Sequence, residues 1–238
     1  MPLTEQQIRF FRQTGYFKLG DRIPTEMVCA LKKVIVGDIE SRIPPFKTDR
    51  AGGIVRLDQL IDRDPIFRDL CTYPPVLGAL VSLLGPNVEL TRNRHNHATI
   101  NRRGPSPRLH RDVLQWSRDI VTMVVYLEDA GIENGCTHVL PASQYLPFVG
   151  TPNNGGTWMD EHSMYADLLS QAVPIPMSEG GVLLFDGLAF HSNGENTTEH
   201  TRISVCMGFR SVDELSANSE DPKLALIHGE RIYRGNDL

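Results

Sequence analysis

The tripeptide His110-Arg111-Asp112 lies in a run of β-like composition, and alternation along a strand turns residues two apart toward one side. An imidazole and a carboxylate then converge on a single point. The spacing is weak by itself, because a chain with eight histidines produces such a pair by chance, and His228-Gly229-Glu230 is a second instance. Context separates the two. His110 is followed at a distance by Gly181-Val-Leu-Leu-Phe-Asp186, then His191, Asn196 and Arg202, whereas no histidine follows His228. A histidine–carboxylate pair with one histidine from a distant strand makes a 2-His-1-carboxylate facial set, which binds iron and leaves positions open for oxygen and a co-substrate. Arg202 supplies a permanently charged fork able to hold a carboxylate through two parallel hydrogen bonds.

The elements that must position these groups change character along the chain. The first 85 residues read as helical with short extended pieces. Thr4 and Gln7 form a capping box before the apolar Ile8, Phe10 and Phe11, and Gly15 closes the helix. A short strand is expected over 16–19, and helices over 27–41, stopped by Pro44-Pro45, and 75–84, stopped by Gly85-Pro86. From Val88 onward the pattern becomes short β-like runs between turn residues: 88–100, 108–112, 120–127, 137–140, 181–185 and 203–209. Such spacing predicts an antiparallel sandwich or open barrel. The stretch 146–176 is long for a connection and reads as a lid or loop.

The composition excludes several classes. With 238 residues and a net charge of −5, the chain is no general polyanion binder, so no nucleic-acid partner is expected. Apolar runs fall short of the roughly 18 residues needed to span a bilayer, and the N-terminus lacks a signal-peptide core, so no membrane partner and a cytoplasmic location are expected. Cys29, Cys71, Cys136 and Cys206 are far apart, which argues against a zinc knuckle or disulfide framework. G-x-S-x-G, Walker, G-x-G-x-x-G and H-E-x-x-H signatures are absent.

At the residues above, the chain resembles the phytanoyl-CoA dioxygenase family of iron(II)- and 2-oxoglutarate-dependent oxygenases. The likeness covers nearly the whole chain. Thr4-Glu-Gln, Phe11 and Gly15-Tyr16 resemble the family's opening; Asn134-Gly135 through Pro141-Ala142-Ser143 resembles its N-G-x-x-x-x-x-P-G-S segment; His191 with Arg202 is the most specific match. The resemblance implies one domain over 1–238, with a helical part about 1–85 and a core about 86–212. The fold would be a double-stranded β-helix, a cupin-like jelly roll with flanking helices. It further implies Fe(II), 2-oxoglutarate and O2, with His110, Asp112 and His191 on the metal and Arg202 on the distal carboxylate of 2-oxoglutarate. Asn193 stands where the family often has a serine assisting the arginine, and Ala142 where it has glycine. Related halogenases replace the carboxylate ligand, so Asp112 implies hydroxylation or another C–H oxidation.

Other candidates have two readings each. Asn93, His95 and His97 share one strand face, either a wet barrel interior, with Asn93 on 2-oxoglutarate and His97 toward substrate, or a solvated surface. Trp116 would wall the substrate pocket or pack in the core; Trp158, with His162 and Tyr165, would meet substrate or anchor a loop. Residues 119–201 carry eleven carboxylates and no lysine or arginine, while 88–118 carry seven arginines against Glu89 and Asp112. If the acids border the pocket, the small-molecule substrate is cationic or polyhydroxylated, of aminoglycoside type; otherwise they are solvated surface. An acyl-CoA substrate would instead require Arg92, Arg94, Arg102 and Arg103 near the entrance. A non-catalytic metal-binding jelly roll or a zinc hydrolase would use the same three ligands, but neither needs Arg202.

Overall fold

The structure, a computed structural model, describes residues 1–92, 95–105, 108–112, 120–146, 163–212 and 223–231, those at 163–166 by backbone alone. Its elements in order are α1 (Glu5–Thr14), β1 (Tyr16–Lys18), α2 (Thr25–Glu40), β2 (Phe46–Thr48), β3 (Ile54–Asp58), α3 (Ile66–Thr72), α4 (Pro74–Leu84), β4 (Val88–Thr91), β5 (Asn96–Asn101), β6 (Ile120–Tyr126), β7 (Thr137–Val139), β8 (Val173–Ile175), β9 (Val182–Asp186), β10 (His191–Asn193), β11 (Arg202–Ser211) and β12 (Leu224–His228). Two antiparallel sheets form. The larger runs β1-β9-β6-β11-β5-β3-β2, with β4 beside β11 and β12 beside β4; the smaller runs β10-β7-β8. This is the expected jelly roll. Among the described residues no helix is long and apolar enough to cross a membrane.

Strand alternation divides the interior into two layers with different tasks. Along β11, Ile203, Val205, Met207 and Phe209 join Val121, Met123 and Val125 of β6 and Val182 and Leu184 of β9 in a core that also includes Leu31, Ile35, Phe67 and Leu80 of the helices. The helices thus cover the outer face. The intervening residues face the smaller sheet, where Val124, Tyr126, Leu183, Phe185 and Cys206 pack with Cys136, Val139 and Ile175. Register then ranks the inner-face side chains in rows. Asp58, His97, Cys206 and Val124 lie side by side, as do Arg56, Thr99, Ser204 and Tyr126, with Asn101 beside Arg202 next along. Polar groups therefore collect at one end of a face whose opposite side is oil.

Helix α1 braces the Asp186 end of β9. Thr4 and Gln7 form the expected capping box, and Gly15 closes the helix at φ +80°, where a Cβ would sit 2.5 Å from Gln144 Oε1. The carbonyls of Thr14 and Gly15 accept from the Ala142 and Asp186 amides at 2.8 and 2.9 Å. Ala142 itself is left-handed at φ +61°, a conformation that strains any side chain with a Cβ. Ala142→Gly is therefore expected to stabilise the fold by about 1 kcal/mol, read as a higher urea midpoint at unchanged slope. A lower midpoint would show that the alanine methyl packs better than its backbone suffers.

Three expectations change. The run 88–100 is two strands, broken before His95, whose φ is +53°. Residues 108–112 form no strand: His110 makes a single bridge with His191, and Asp112 sits at a bend held by its amide on the Gly187 carbonyl at 2.9 Å. Within the first 85 residues the expected short strand is β1, but β2 and β3 also join the large sheet, and their alternating charged residues Lys47, Arg56 and Asp58 gave no hydrophobic strand signal.

Candidate active site

His110, Asp112 and His191 meet between the sheets. Each offers one ligand atom, and these atoms lie within 4.8 Å of one another. Asp112 Oδ1 is 3.6 Å from His191 Nε2 and 4.0 Å from His110 Nε2, close to the spacing of about 3 Å between neighbouring ligands on one metal ion. The rings are aimed by the backbone. His110 Nδ1 lies 3.1 Å from the Arg108 carbonyl and His191 Nδ1 3.0 Å from the Ala189 carbonyl, so each donates from Nδ1 and turns the Nε2 lone pair inward. Phe185 packs on the His191 ring at 4.2 Å. Burial pulls His191 down to about 4 against the opposing pull of Asp112, leaving a neutral imidazole able to ligate at pH 7. Thr122 donates to Asp112 Oδ2 at 3.0 Å. Burial alone would raise the Asp112 carboxyl, but His95 and His191 outweigh it and hold it well below the usual carboxylate range.

Ser143 ties the two ligand segments together. Its hydroxyl donates to the Leu140 carbonyl at 2.6 Å and accepts from the Phe190 amide at 2.7 Å, just before His191. Its carbonyl accepts from Arg111 Nη2 at 2.9 Å, just between His110 and Asp112. The Pro141-Ala142-Ser143 segment thus earns its place by geometry.

His95 was not singled out as a site residue, yet its Nε2 forms an ion pair with Asp112 Oδ1 at 2.8 Å, and its Nδ1 lies 3.5 Å from Cys206 Sγ. Burial would lower its pKa, but Asp112 and Cys206 prevail and hold it at about 10. In the metal-free protein an imidazolium therefore balances the Asp112 carboxylate. Folded pKa exceeds the ordinary 6.5, so this pair stabilises the metal-free protein fully below pH 6.5, and the contribution is lost as pH rises through about 10. A divalent ion bound by the three groups would supply that positive charge instead. Iron binding at pH 7 to 8 is expected to release about one proton from His95, measured by calorimetry in two buffers of different ionisation enthalpy. Equal release in His95→Gln would sink the assignment.

His95, His97 and Cys206 form a second cluster of ligand-type atoms within 4.8 Å. Burial, with Arg56, His95 and Lys47 adding to it, holds His97 well below its ordinary pKa. That positive field opposes a second cation, so the Asp112 cluster is the better metal centre.

Arg202 is 1% exposed. Its Nη2 donates to the Gly135 carbonyl at 2.8 Å and Asn193 Oδ1 at 3.2 Å, its Nε points at the Asn134 carbonyl at 3.4 Å, and its buried Nη1 has no partner among the described residues. A buried, unpartnered guanidinium nitrogen is costly without an anion, and one carboxylate completes it. The donor set therefore fits both groups the sequence implied: two neutral imidazoles and a carboxylate for iron(II), and a charged fork for 2-oxoglutarate. The adjoining pocket of about 150 Å³ is lined by His97, His110, His191, Asn193, Thr99 and Ser204 among others. His97 and Asn193 are thus at the site, while Asn93, Trp116 and Trp158 lie outside the described residues.

The acidic segment behaves differently from expectation. Glu128 pairs with Lys32 and accepts from the Ile203 amide, Asp129 accepts from the Glu179 amide, and Glu199 pairs with Arg103. None of the described acids of 119–201 lines the pocket, whose described charged wall is Arg56 with the His95 imidazolium. Net charge along a segment does not say which face the strands present.

Comparison with known proteins places these observations. The family model for phytanoyl-CoA dioxygenase (PhyH) matches residues 11–204. Methylphosphonate hydroxylase of Gimesia maris is 23% identical over 89% of this chain and 82% of its own length. L-proline trans-4-hydroxylase of Streptomyces griseoviridis is 23% identical, covering 93% and 91%. The chain spans only 56% of the mouse phytanoyl-CoA dioxygenase domain-containing protein 1, at 25% identity over 67% of this chain. Among solved structures, EctD from S. alaskensis with bound Fe superposes with a TM-score of 0.74 at 22% identity, over 90% of this chain and 78% of EctD.

Proposed function

The chain belongs to the phytanoyl-CoA dioxygenase family of non-haem iron(II)- and 2-oxoglutarate-dependent dioxygenases, and from that premise we propose that it hydroxylates an unactivated C–H of a small metabolite. His110, Asp112 and His191 would hold the iron, and Arg202, oriented by Asn193, the distal carboxylate of 2-oxoglutarate. When bound, iron supplies oxygen activation coupled to decarboxylation of 2-oxoglutarate to succinate. The chain's own residues do the rest. The two imidazoles, locked through Nδ1, and the carboxylate, locked by Thr122, would hold the iron beside the pocket that His110 and His191 line. Arg202, Ser204 and Thr99 offer polar groups along the inner face, while Phe185 and Val124 keep that wall dry. The protein's part is placement and exclusion of side reactions.

The unpartnered Nη1 of Arg202 carries this reading. A zinc hydrolase or a non-catalytic metal-binding jelly roll on the same ligands has no use for a buried carboxylate anchor. Asp112 favours hydroxylation, since the ligand position is filled by the protein. The names of the Gimesia and Streptomyces relatives, both hydroxylases of small molecules, support a small substrate. A cationic, aminoglycoside-type substrate draws no support from the described lining. The test is succinate release on adding iron(II), 2-oxoglutarate and oxygen. Succinate formed in step with oxygen consumption is expected; hydrolytic activity with zinc and no oxygen dependence would overturn the proposal.

A further inference from the structure

We propose that the substrate carries an anionic oxygen group, a carboxylate or phosphate-like oxyanion, held by Arg56 and Lys47 in a chamber adjoining the iron pocket. The assignment of the oxidised end rests on the reading of the metal site above; the anion site stands on its own residues. Arg56 faces Thr99 across the β3–β5 pairing, Asp58 faces His97, and Lys47 faces Arg56 across β2–β3. Cross-strand partners project from the same side of a sheet, so these groups stand on the inner face with the metal ligands.

Arg56 lines two cavities at once. One is the iron pocket of about 150 Å³; the other is a chamber of about 320 Å³ walled also by Lys47, Arg92, Asp58, Gln59 and Asn96. Together they accommodate a molecule whose head lies in the chamber and whose reacting carbon lies near His110 and His191. The charges in the chamber do not cancel. Asp58 Oδ1 takes the Nε edge of Arg56 at 2.6 Å, and Arg92 is tied to Asp62. Lys47 makes no ion pair among the described residues, and the Nη groups of Arg56 make no hydrogen bond there. A cationic ammonium and the open fork of a guanidinium, facing one chamber, are donors matched to an oxyanion. Only a third of the Arg56 side chain is exposed, which limits screening by solvent and salt. A cation placed there would meet repulsion from both groups.

The experiment is a calorimetric titration of inorganic sulfate, a poor metal ligand, at low ionic strength and with saturating 2-oxoglutarate so that Arg202 is occupied. Saturable binding that weakens as salt rises is expected. Arg56→Gln should weaken it about 10- to 100-fold, Lys47→Ala several-fold, and Asp58→Asn should tighten it by freeing the guanidinium. Lys47 is exposed, so its variant stands as the test if Arg56→Gln misfolds by circular dichroism. His191→Ala should keep sulfate binding while losing succinate release, which separates failure of the anion site from failure of the iron assignment. No saturable sulfate binding, affinity unchanged by both Arg56→Gln and Lys47→Ala, or preferential binding of tetramethylammonium would overturn the proposal.

Discussion

Asp112→Asn is expected to lower iron(II) affinity by more than about 100-fold and to reduce succinate release to that of the metal-free protein. Loss of a residue that merely supports a metal ligand costs about 10- to 100-fold, and Asp112 is proposed as the ligand itself. Asparagine preserves shape and can still accept from Thr122, so the change isolates charge from packing. It also removes the partner that raises the His95 pKa. Burial then dominates, and His95 becomes neutral instead of remaining an unpaired cation, which spares the fold most of the cost of breaking a buried ion pair. Metal content after reconstitution, succinate rate and far-ultraviolet circular dichroism together read the outcome. His228→Ala is the control, because the other histidine–carboxylate motif lies at the exposed end of β12. Wild-type iron content in Asp112→Asn would remove Asp112 from the ligand set.

What the sequence disclosed was chemistry anchored in short-range geometry. Thr4 with Gln7 and Gly15 specify a helix start and stop within a dozen residues, and the structure has both. His110, Asp112, His191 and Arg202 were legible as candidates because each residue type is unusual in its context, and the structure brings the first three together. The route to their convergence was less legible. Strand alternation suggested that His110 and Asp112 share a face, yet a bend and three backbone bonds, two with His191 and one to Gly187, bring them together. Tertiary pairing does what local periodicity was credited with.

The largest omissions share one cause. Strands β2 and β3 contribute Lys47, Arg56 and Asp58 at register with the inner face, so the positions that would announce a half-buried strand by hydrophobicity are occupied by charge. His95 was placed on the face with His97 but given no role, because its left-handed backbone and its contact with Asp112 across the site leave no mark in the sequence. Substrate electrostatics failed for a related reason. Eleven acids in one segment look like a patch, but Glu128, Asp129 and Glu199 are directed to lysine, arginine and backbone amides away from the pocket, while Arg56, from the segment read as helical with short extended pieces, lines it.

Arg202→Lys is expected to raise the KM for 2-oxoglutarate about 10- to 100-fold with kcat changed only a few-fold. Lysine keeps the positive charge but not the planar fork, and a charge-assisted hydrogen bond contributes about 1.5–3 kcal/mol. The aim of that fork is set by the protein. Gly135, Asn134 and Asn193 accept from Nη2 and Nε, leaving Nη1 as the one nitrogen free to meet an anion. Gly135 can present its carbonyl there because it is left-handed at φ +78° and has no Cβ, which would otherwise lie 2.5 Å from the Gly194 carbonyl. A lysine ammonium cannot satisfy these acceptors and also reach the pocket, so the penalty falls on co-substrate binding rather than on the chemical step. Arg202→Ala is the less informative change, since it leaves buried carbonyls without donors and adds a folding cost of about 1–3 kcal/mol for each. Initial rates at varied 2-oxoglutarate, with anaerobic titration of the same variant, separate the two effects. A fall in kcat at unchanged KM would mean that Arg202 supports the sheet junction and does not hold the co-substrate.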